Sequence, residues 1–252
     1  MRPNERQTAI ADVVWQRNRV SVDSLAAMFS ASPETIRRDL SILARNGKIQ
    51  KVHGGAVLPR MAEEGPFAER MRHNVAAKRR IADRAIPLIS SGETLFINTG
   101  STTMLFADEL VGLDDLTVIT NSAELARILS SGSPTCRIYL LGGAYHGDNR
   151  QTCGSIAIEQ LGRFRADRAV LTVGSVEATT GVMDYNPDEA EMARAMIRLA
   201  GSVTLLVDSS KFGKLAPFTV AGFDAIDCMV CDEAPDGQLA ALMARERVEI
   251  IC

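Results

Sequence analysis

Histidine and cysteine are scarce in this chain. The three histidines, His53, His73 and His146, show no spacing of the kind that places two ligands on one metal, so no metal centre is expected. The five cysteines are few and far apart, which excludes the disulfide framework of a small secreted domain. The one close pair is Cys228-Met-Val-Cys231, in an apolar run that reads as a core strand. Residues three apart on a strand face opposite ways, so these thiols are not expected to converge. No stretch approaches the roughly 18 apolar residues of a membrane span. Met1-Arg-Pro-Asn-Glu5 lacks the apolar run of a secretory signal, so a cytoplasmic location away from any membrane is expected. Low-complexity tracts and internal repeats are missing too.

Charge is divided unevenly. The net charge is −3, yet residues 1–60 carry +5 and residues 61–252 carry −8. A basic head on an acidic body suits phosphate-backbone attraction confined to one end.

That basic head holds the most informative stretch, Ser32-Pro-Glu-Thr-Ile-Arg-Arg-Asp-Leu40. Ser32 suits an N-cap and Pro33 the first helical position, where a missing N–H costs nothing. Ile36, Leu40 and Leu43 recur at helical spacing and define a core face. Thr35, Arg37 and Arg38 fall in the first two turns, where a recognition helix offers side chains to base edges. A helical pattern at 4–17 and the stretch Val20 to Phe29, which holds a Ser21 start signal and a second short helix, precede it, with Ser30-Ala31 as the turn. Asn46-Gly47 reads as the helix stop, and Lys48 to Val57 as two extended runs around His53-Gly54-Gly55. Three helices and a hairpin make a winged helix-turn-helix. The expected DNA-binding residues are Ser32, Pro33, Thr35, Ile36, Arg37 and Arg38 from the helix and Lys51 and His53 from the wing. One recognition helix reads too few base pairs for useful specificity, so a dimer or tetramer on double-stranded operator DNA is expected.

Polar residues with prolines at 59 and 66 mark a linker over 59–75. The DNA-binding domain is thus expected over 1–58 and an α/β domain over 76–252. In the latter, short apolar runs at 94–97, 117–120, 137–141, 169–173, 203–207, 229–231 and 248–251 alternate with helical patterns. Strands of this length with helical crossovers mean a parallel sheet covered on both faces.

Ligands of open α/β sheets bind beyond the carboxyl ends of the strands. The first run ends in Asn98-Thr99-Gly100-Ser101-Thr102-Thr103 and opens a helix, a combination that favours an anion such as phosphate. Taken by itself it reads equally as a capped strand-to-helix turn. Other strand ends carry Asn121, Gly142-Gly143, Gly174-Ser175 and Asp208-Ser-Ser-Lys211. Lys211 offers a positive charge and Asp208 an acceptor for ligand hydroxyls. Tyr185 and Glu189, in the stretch before a later helix, are expected to fold over the site, with Arg150 from a long polar loop. No catalytic residue, metal or cofactor is assigned.

The chain resembles the DeoR family of transcriptional regulators over nearly its whole length. Thr35-Ile-Arg-Arg-Asp-Leu40 with His53-Gly-Gly-Ala56 is similar to that family's DNA-binding signature. Asn98 to Thr103, Thr120-Asn-Ser122, Leu141-Gly-Gly143 and Val207-Asp-Ser-Ser-Lys-Phe-Gly213 resemble its effector-domain motifs. The resemblance implies a repressor whose second domain is similar in fold to ribose-5-phosphate isomerase and senses a phosphorylated sugar or polyol. The family's phosphate loop usually begins with Asp; here the position is Asn98. The alternative is an isomerase-like enzyme fused to a DNA-binding head. Such an enzyme needs a positioned general base. The turn to compare, Gly174-Ser-Val-Glu-Ala178, offers only Glu177.

Overall fold

The computed structural model describes residues 3–17, 19–45, 49–57 and 65–252. The chain divides into two compact units, residues 1–62 and 63–252.

In the first unit, α1 (Pro3–Arg17) is followed by β1 (Arg19–Ser21), α2 (Val22–Phe29) and α3 (Pro33–Arg45). The wing strands β2 (Gln50–Val52) and β3 (Gly55–Val57) complete it, with β3 antiparallel to both β1 and β2. Local chemistry sets the helix ends. Ser21 Oγ accepts from the Ser24 amide, and Ser30 closes α2 in the left-handed conformation at φ 48°. Ser32 Oγ caps α3 by accepting from the Thr35 amide at 3.2 Å. The expected stop at Asn46-Gly47 lies outside the described residues. Ile10, Val14, Leu25, Ile36, Leu40, Leu43 and Ala56 form the core. Buried Asp39 accepts from Arg6 Nε at 2.6 Å and Gln7 Nε2 at 2.9 Å, which ties α3 to α1.

The second unit begins earlier than the sequence reading placed it. Residues 59–64 of the expected linker lie outside the described residues. Beyond them α4 (Phe67–Arg70) buries Phe67 among the core side chains of this unit, so the stretch is packed structure and not a tether. Next come α5 (Val75–Ala85), β4 (Thr94–Ile97), α6 (Ser101–Leu110), β5 (Thr117–Thr120), α7 (Ala123–Gly132) and β6 (Arg137–Leu140). A small ribbon, β7 (Ala144–His146) and β8 (Gln151–Cys153), leads to α8 (Ser155–Leu161) and β9 (Ala166–Leu171). After it come β10 (Ser175–Glu177), β11 (Gly181–Asp184), α9 (Pro187–Leu199), β12 (Ala200–Val207) and β13 (Phe218–Ala221). The unit ends with β14 (Cys228–Cys231), α10 (Gly237–Arg245) and β15 (Glu249–Ile251).

Seven of these strands form one parallel sheet in the order β15-β14-β12-β9-β4-β5-β6. All seven correspond to apolar runs read from the sequence. Each inner strand divides its side chains between two cores. Leu95, Ile97, Val118, Val170 and Leu206 pack with α5, α6 and α7; Phe96, Ile119, Leu171, Leu205 and Met229 pack with α8, α9 and α10. Cys228 and Cys231 likewise fall into opposite cores, as their spacing requires. A disulfide was not expected from the sequence, yet Cys231 takes part in one. Cys231 is bonded to Cys252, because β14 and the residue after β15 lie side by side with Cα atoms 5.0 Å apart.

The topology reverses between β4 and β9. Crossovers from β4 and β5 place α6 and α7 on one face, whereas those from β9 and β14 place α9 and α10 on the other. A crevice for a ligand opens where an open α/β sheet reverses in this way.

One stability test follows for the first unit. Leu40→Ala is expected to cost about 2–5 kcal/mol, because the fully buried side chain leaves a cavity at the helix junction. Hydrogen exchange should accelerate in residues 3–57 and stay unchanged in 65–252; equal protection in both would show that Leu40 is not a core anchor.

Candidate functional site

The first unit offers a polar helix face. Ser32, Pro33, Arg37 and Arg38 are exposed, and Thr35 is half-buried with its hydroxyl 2.8 Å from Ser32 Oγ. Lys51 and His53 are exposed on the wing. Lys51 Nζ donates to Ser41 Oγ at 3.0 Å, and that hydroxyl donates to the Arg37 carbonyl at 2.7 Å. The wing lysine is thereby held against the helix that carries the two arginines. Ile36 is a correction. It has no exposed surface and lies in the core, so it supports the helix and offers nothing to DNA.

In the second unit Asn98 follows β4 at the topological reversal, and its carboxamide both donates and accepts. Nδ2 donates to the Thr172 carbonyl at 2.8 Å while Oδ1 accepts from the Thr172 amide at 2.9 Å. A carboxylate accepts but cannot donate, so this pairing needs Asn where the family usually has Asp. Asn98 is therefore a brace between β4 and β9. Gly100 follows in close contact with Thr172: a Cβ here would stand 1.9 Å from Thr172 Cγ2. The Thr103 hydroxyl donates back to the carbonyls of Asn98 and Gly100, both at 2.9 Å. Ser101, Thr102 and Thr103 form the buried first turn of α6, whose leading amides favour an anion.

Asn121 is a second brace. Its Oδ1 accepts from the Thr99 amide at 3.2 Å, and its Nδ2 donates to the Thr152 carbonyl at 3.1 Å. Gly142 donates to Gln160 Oε1 at 2.8 Å, and Gly143 packs against the Cys153 carbonyl. These three predicted residues hold loops in place.

Asp208 and Lys211, after β12, do meet at the strand ends. Lys211 Nζ donates to the Val173 carbonyl. Buried Asp208 accepts from the Ser210 hydroxyl and from Asn74 Nδ2. Burial works to raise its pKa. The Ser210 bond, the Lys211 charge, the Asn74 bond and the Lys78 charge outweigh that, and the carboxyl is held below the ordinary range. Asn74 and Lys78 were missed by the sequence reading. Lys78 is buried and donates to the carbonyls of Arg70 and His73, at 2.6 and 2.9 Å.

Beside this edge lies a cleft of about 510 Å³ lined by Arg70, Asp148, Asn149, Asp184, Tyr185, Asn186 and Glu189 among others. Tyr185 reaches the strand ends because residue 174 is glycine: a Cβ there would stand 2.7 Å from the Tyr185 ring. Glu189 Oε1 accepts from Asn149 Nδ2 at 2.5 Å and Gln151 Nε2 at 2.8 Å. Asn186 caps α9 by accepting from the Asp188 and Glu189 amides. Arg150 does not join them. It is exposed and paired with Glu124 at 2.8 Å. Glu124 is held low mainly by its hydrogen bond with Arg127, against burial, and further by Arg150.

Glu177, the carboxylate compared with that of an isomerase, is committed to its own turn: Oε2 accepts from the amides of Thr179 and Thr180, at 2.8 and 2.9 Å. Burial, with the nearby carboxylates of Asp188 and Glu189, pushes the Cys153 thiol up to about 12. It stays protonated and poorly nucleophilic at neutral pH. Among the described residues no cluster of His, Cys, Asp or Glu could hold a metal, and no helix is long and apolar enough to cross a membrane.

Comparison with known proteins agrees with this layout. Residues 6–61 match the family described as the DeoR-like helix-turn-helix domain, and residues 73–233 match the DeoR C terminal sensor domain. The glycerol-3-phosphate regulon repressor of Escherichia coli is 30% identical over 250 residues, covering 99% of each chain. The HTH-type transcriptional repressor GlcR of Bacillus subtilis is 31% identical over 252 residues, covering 100% of this chain and 96% of the other. The HTH-type transcriptional regulator GlpR of Haloferax volcanii is 31% identical over 250 residues, covering 99% and 95%. The structure of ribose 5-phosphate isomerase A from Methanocaldococcus jannaschii aligns with 55% of this chain and 55% of its own, at 21% identity and a TM-score of 0.41.

Two measurements probe the strand-end network. Asn98→Asp removes the donor to the Thr172 carbonyl and buries a charge beside it, at a cost of about 1–3 kcal/mol or more. Urea denaturation should show that loss at pH 7 and a smaller one at low pH, where a protonated Asp can donate. A wild-type midpoint at pH 7 would remove the brace. Asp208 has a depressed folded pKa, so its stabilisation is present above the ordinary carboxylate range and is lost as pH falls through that depressed value. The wild type should therefore exceed Asp208→Asn in melting temperature at pH 7, with the gap closing under acid; a gap independent of pH would refute the linkage.

Proposed function

The chain belongs to the DeoR family of transcriptional regulators, and on that premise we propose that it represses a carbohydrate or polyol catabolic operon until a phosphorylated sugar or polyol binds its second unit. Its role is DNA-binding regulation of transcription, not catalysis. The observation that carries the DNA side is the division of α3. Ile36, Leu40 and Leu43 face inward, while Arg37 and Arg38 face solvent beside the wing lysine that Ser41 holds. Arginine reads guanine edges and phosphates in the major groove, and wing lysine and histidine suit the backbone or minor groove.

The effector side is supported by the α6 amino end, the nearby Lys211 ammonium and the polar cleft carrying Tyr185 and Glu189. A phosphate suits the first two, and a hydroxylated carbon chain suits the third. Glycerol 3-phosphate is the first compound to test, because relatives are named for it. To act as a switch, the effector must bind one arrangement of the protein more tightly than the other. The protein is proposed to work in the cytoplasm, where operator and effector are found.

A second copy completes the operator contact, since two half-sites need two recognition helices. Tyr139, Leu140, Tyr145 and Ile156 are large exposed apolar side chains on β6, β7 and α8, and β6 is one edge of the main sheet. Exposed apolar groupings of this kind favour association between copies.

Arg37→Ala should weaken operator binding about tenfold or more at fixed salt, measured by fluorescence anisotropy, with an unchanged melting temperature. Wild-type affinity in that variant would overturn the assignment of α3. Ile156→Glu should shift sedimentation velocity toward the monomer; an unchanged distribution would place the interface elsewhere.

A further inference from the structure

Among the described residues three buried hydroxyls make no hydrogen bond: those of Thr102, Thr172 and Ser175. All three residues have 5% or less of their surface exposed. The cost of leaving such a group unpaired is high enough that each calls for a partner. The grouping is informative. Buried unpartnered atoms at the other end of the sheet, Glu93 Oε2 and Arg168 Nε, face each other at 3.5 Å. The three hydroxyls gather at the carboxyl edge, around the reversal between β4 and β9.

Contacts along residues 172–175 show what they surround. Thr172 is paired through its backbone to Asn98 and lies against Gly100, two residues before Thr102. The Val173 carbonyl takes the Lys211 ammonium, Gly174 lies against the Tyr185 ring, and Ser175 follows at the start of β10. The neighbouring polar side chains Asn98, Thr103, Asn121 and Asp208 each have partners within the chain. The fold therefore supplies this edge with hydroxyls that the protein itself does not use, next to a helix amino end and a lysine.

We propose that Thr102, Thr172 and Ser175 bind oxygen atoms of the effector, and so form the inner wall of its site. This rests on the reading of the second unit as the sensor of a phosphorylated polyol or sugar. A hydroxyl donates to a phosphate oxygen and both donates to and accepts from a ligand hydroxyl, so three of them suit an oxygen-rich ligand. Thr172 is the sharpest position, because its methyl packs on Gly100 while its hydroxyl is left without a partner.

The test uses the full chain and isothermal titration calorimetry with glycerol 3-phosphate, fructose 6-phosphate and glucose 6-phosphate. The variants are Thr172→Val, Ser175→Ala and Thr102→Val, each with its melting temperature in the absence of ligand. A hydroxyl bonded to ligand is expected to lose about five- to tenfold in affinity on removal. The unliganded melting temperature should stay the same or rise, because an unpaired buried polar group has been deleted. If a probe binds the wild type and all three variants with equal affinity, the hydroxyls do not contact it and the inference falls while the sensor reading stands. If none of the probes binds the wild type, the sensor reading falls, and this inference with it.

Discussion

The two hydrogen bonds between the Asn98 carboxamide and the Thr172 backbone govern the carboxyl edge of the main sheet. β4 and β9 are neighbours in the sheet, yet the chain leaves them toward opposite faces. Their buried ends would otherwise diverge and leave amides unsatisfied. One side chain that both donates and accepts closes the gap and satisfies both partners. With Thr172 so placed, Gly100 becomes obligatory, since any side chain there would collide with it. The loop from 98 to 103 then has one path, and α6 starts with its leading amides at the crevice. Asn121 extends the same device to β5 and β8. Rigidity at this edge comes from amide side chains bonded to backbone, a form of bracing that adds no charge where an anion is to bind.

The other side of the crevice is built from the segment that the sequence reading took for a linker. Phe67 anchors it in the core. Lys78 is buried with its ammonium on two carbonyls of the same segment. Asn74, in the left-handed conformation at φ 54°, reaches Asp208. A buried lysine and a buried aspartate are each costly alone. Placed near one another and fully hydrogen-bonded, they hold a polar segment against the sheet edge. Polarity was the reason these residues looked like a tether, and their long-range partners are the reason they are not one.

That contrast explains what was legible in the sequence. The parallel strands were readable because strands buried on both faces are continuous apolar runs, and all seven appear in the sheet. The recognition helix was readable because its cap, first proline and apolar spacing are local signals. Residues whose role depends on a distant partner were not. Asp39 resembles any helix carboxylate until Arg6 and Gln7 arrive from α1. Arg150 resembles an anion contact until Glu124 claims it. Asn98, Asn121 and the glycines were correctly located at the strand ends, but position does not distinguish a brace from a ligand contact. Thr172 carries no motif, and Ser175 shows in the sequence only as part of a strand end, with no role attached. What singles them out is an unfilled hydrogen-bonding requirement, and that is visible only when every neighbour has been placed.

The uneven charge along the chain takes on a physical role once the two units are assigned. Residues 1–60 carry the excess of positive charge, and the remainder is acidic. Attraction to the phosphate backbone depends on cations released from DNA, so it falls steeply with salt and acts through the basic unit alone. The acidic remainder is repelled by the same backbone, which disfavours non-specific docking of the sensor unit on DNA. Within that acidic unit an anionic effector needs local compensation. On the proposed reading the helix amides and Lys211 provide it, and Asn98 spares that edge the further negative charge that an aspartate would bring. One net composition thus suits two anionic partners, with positive charge broad on the DNA-binding unit and confined at the edge proposed for the phosphate.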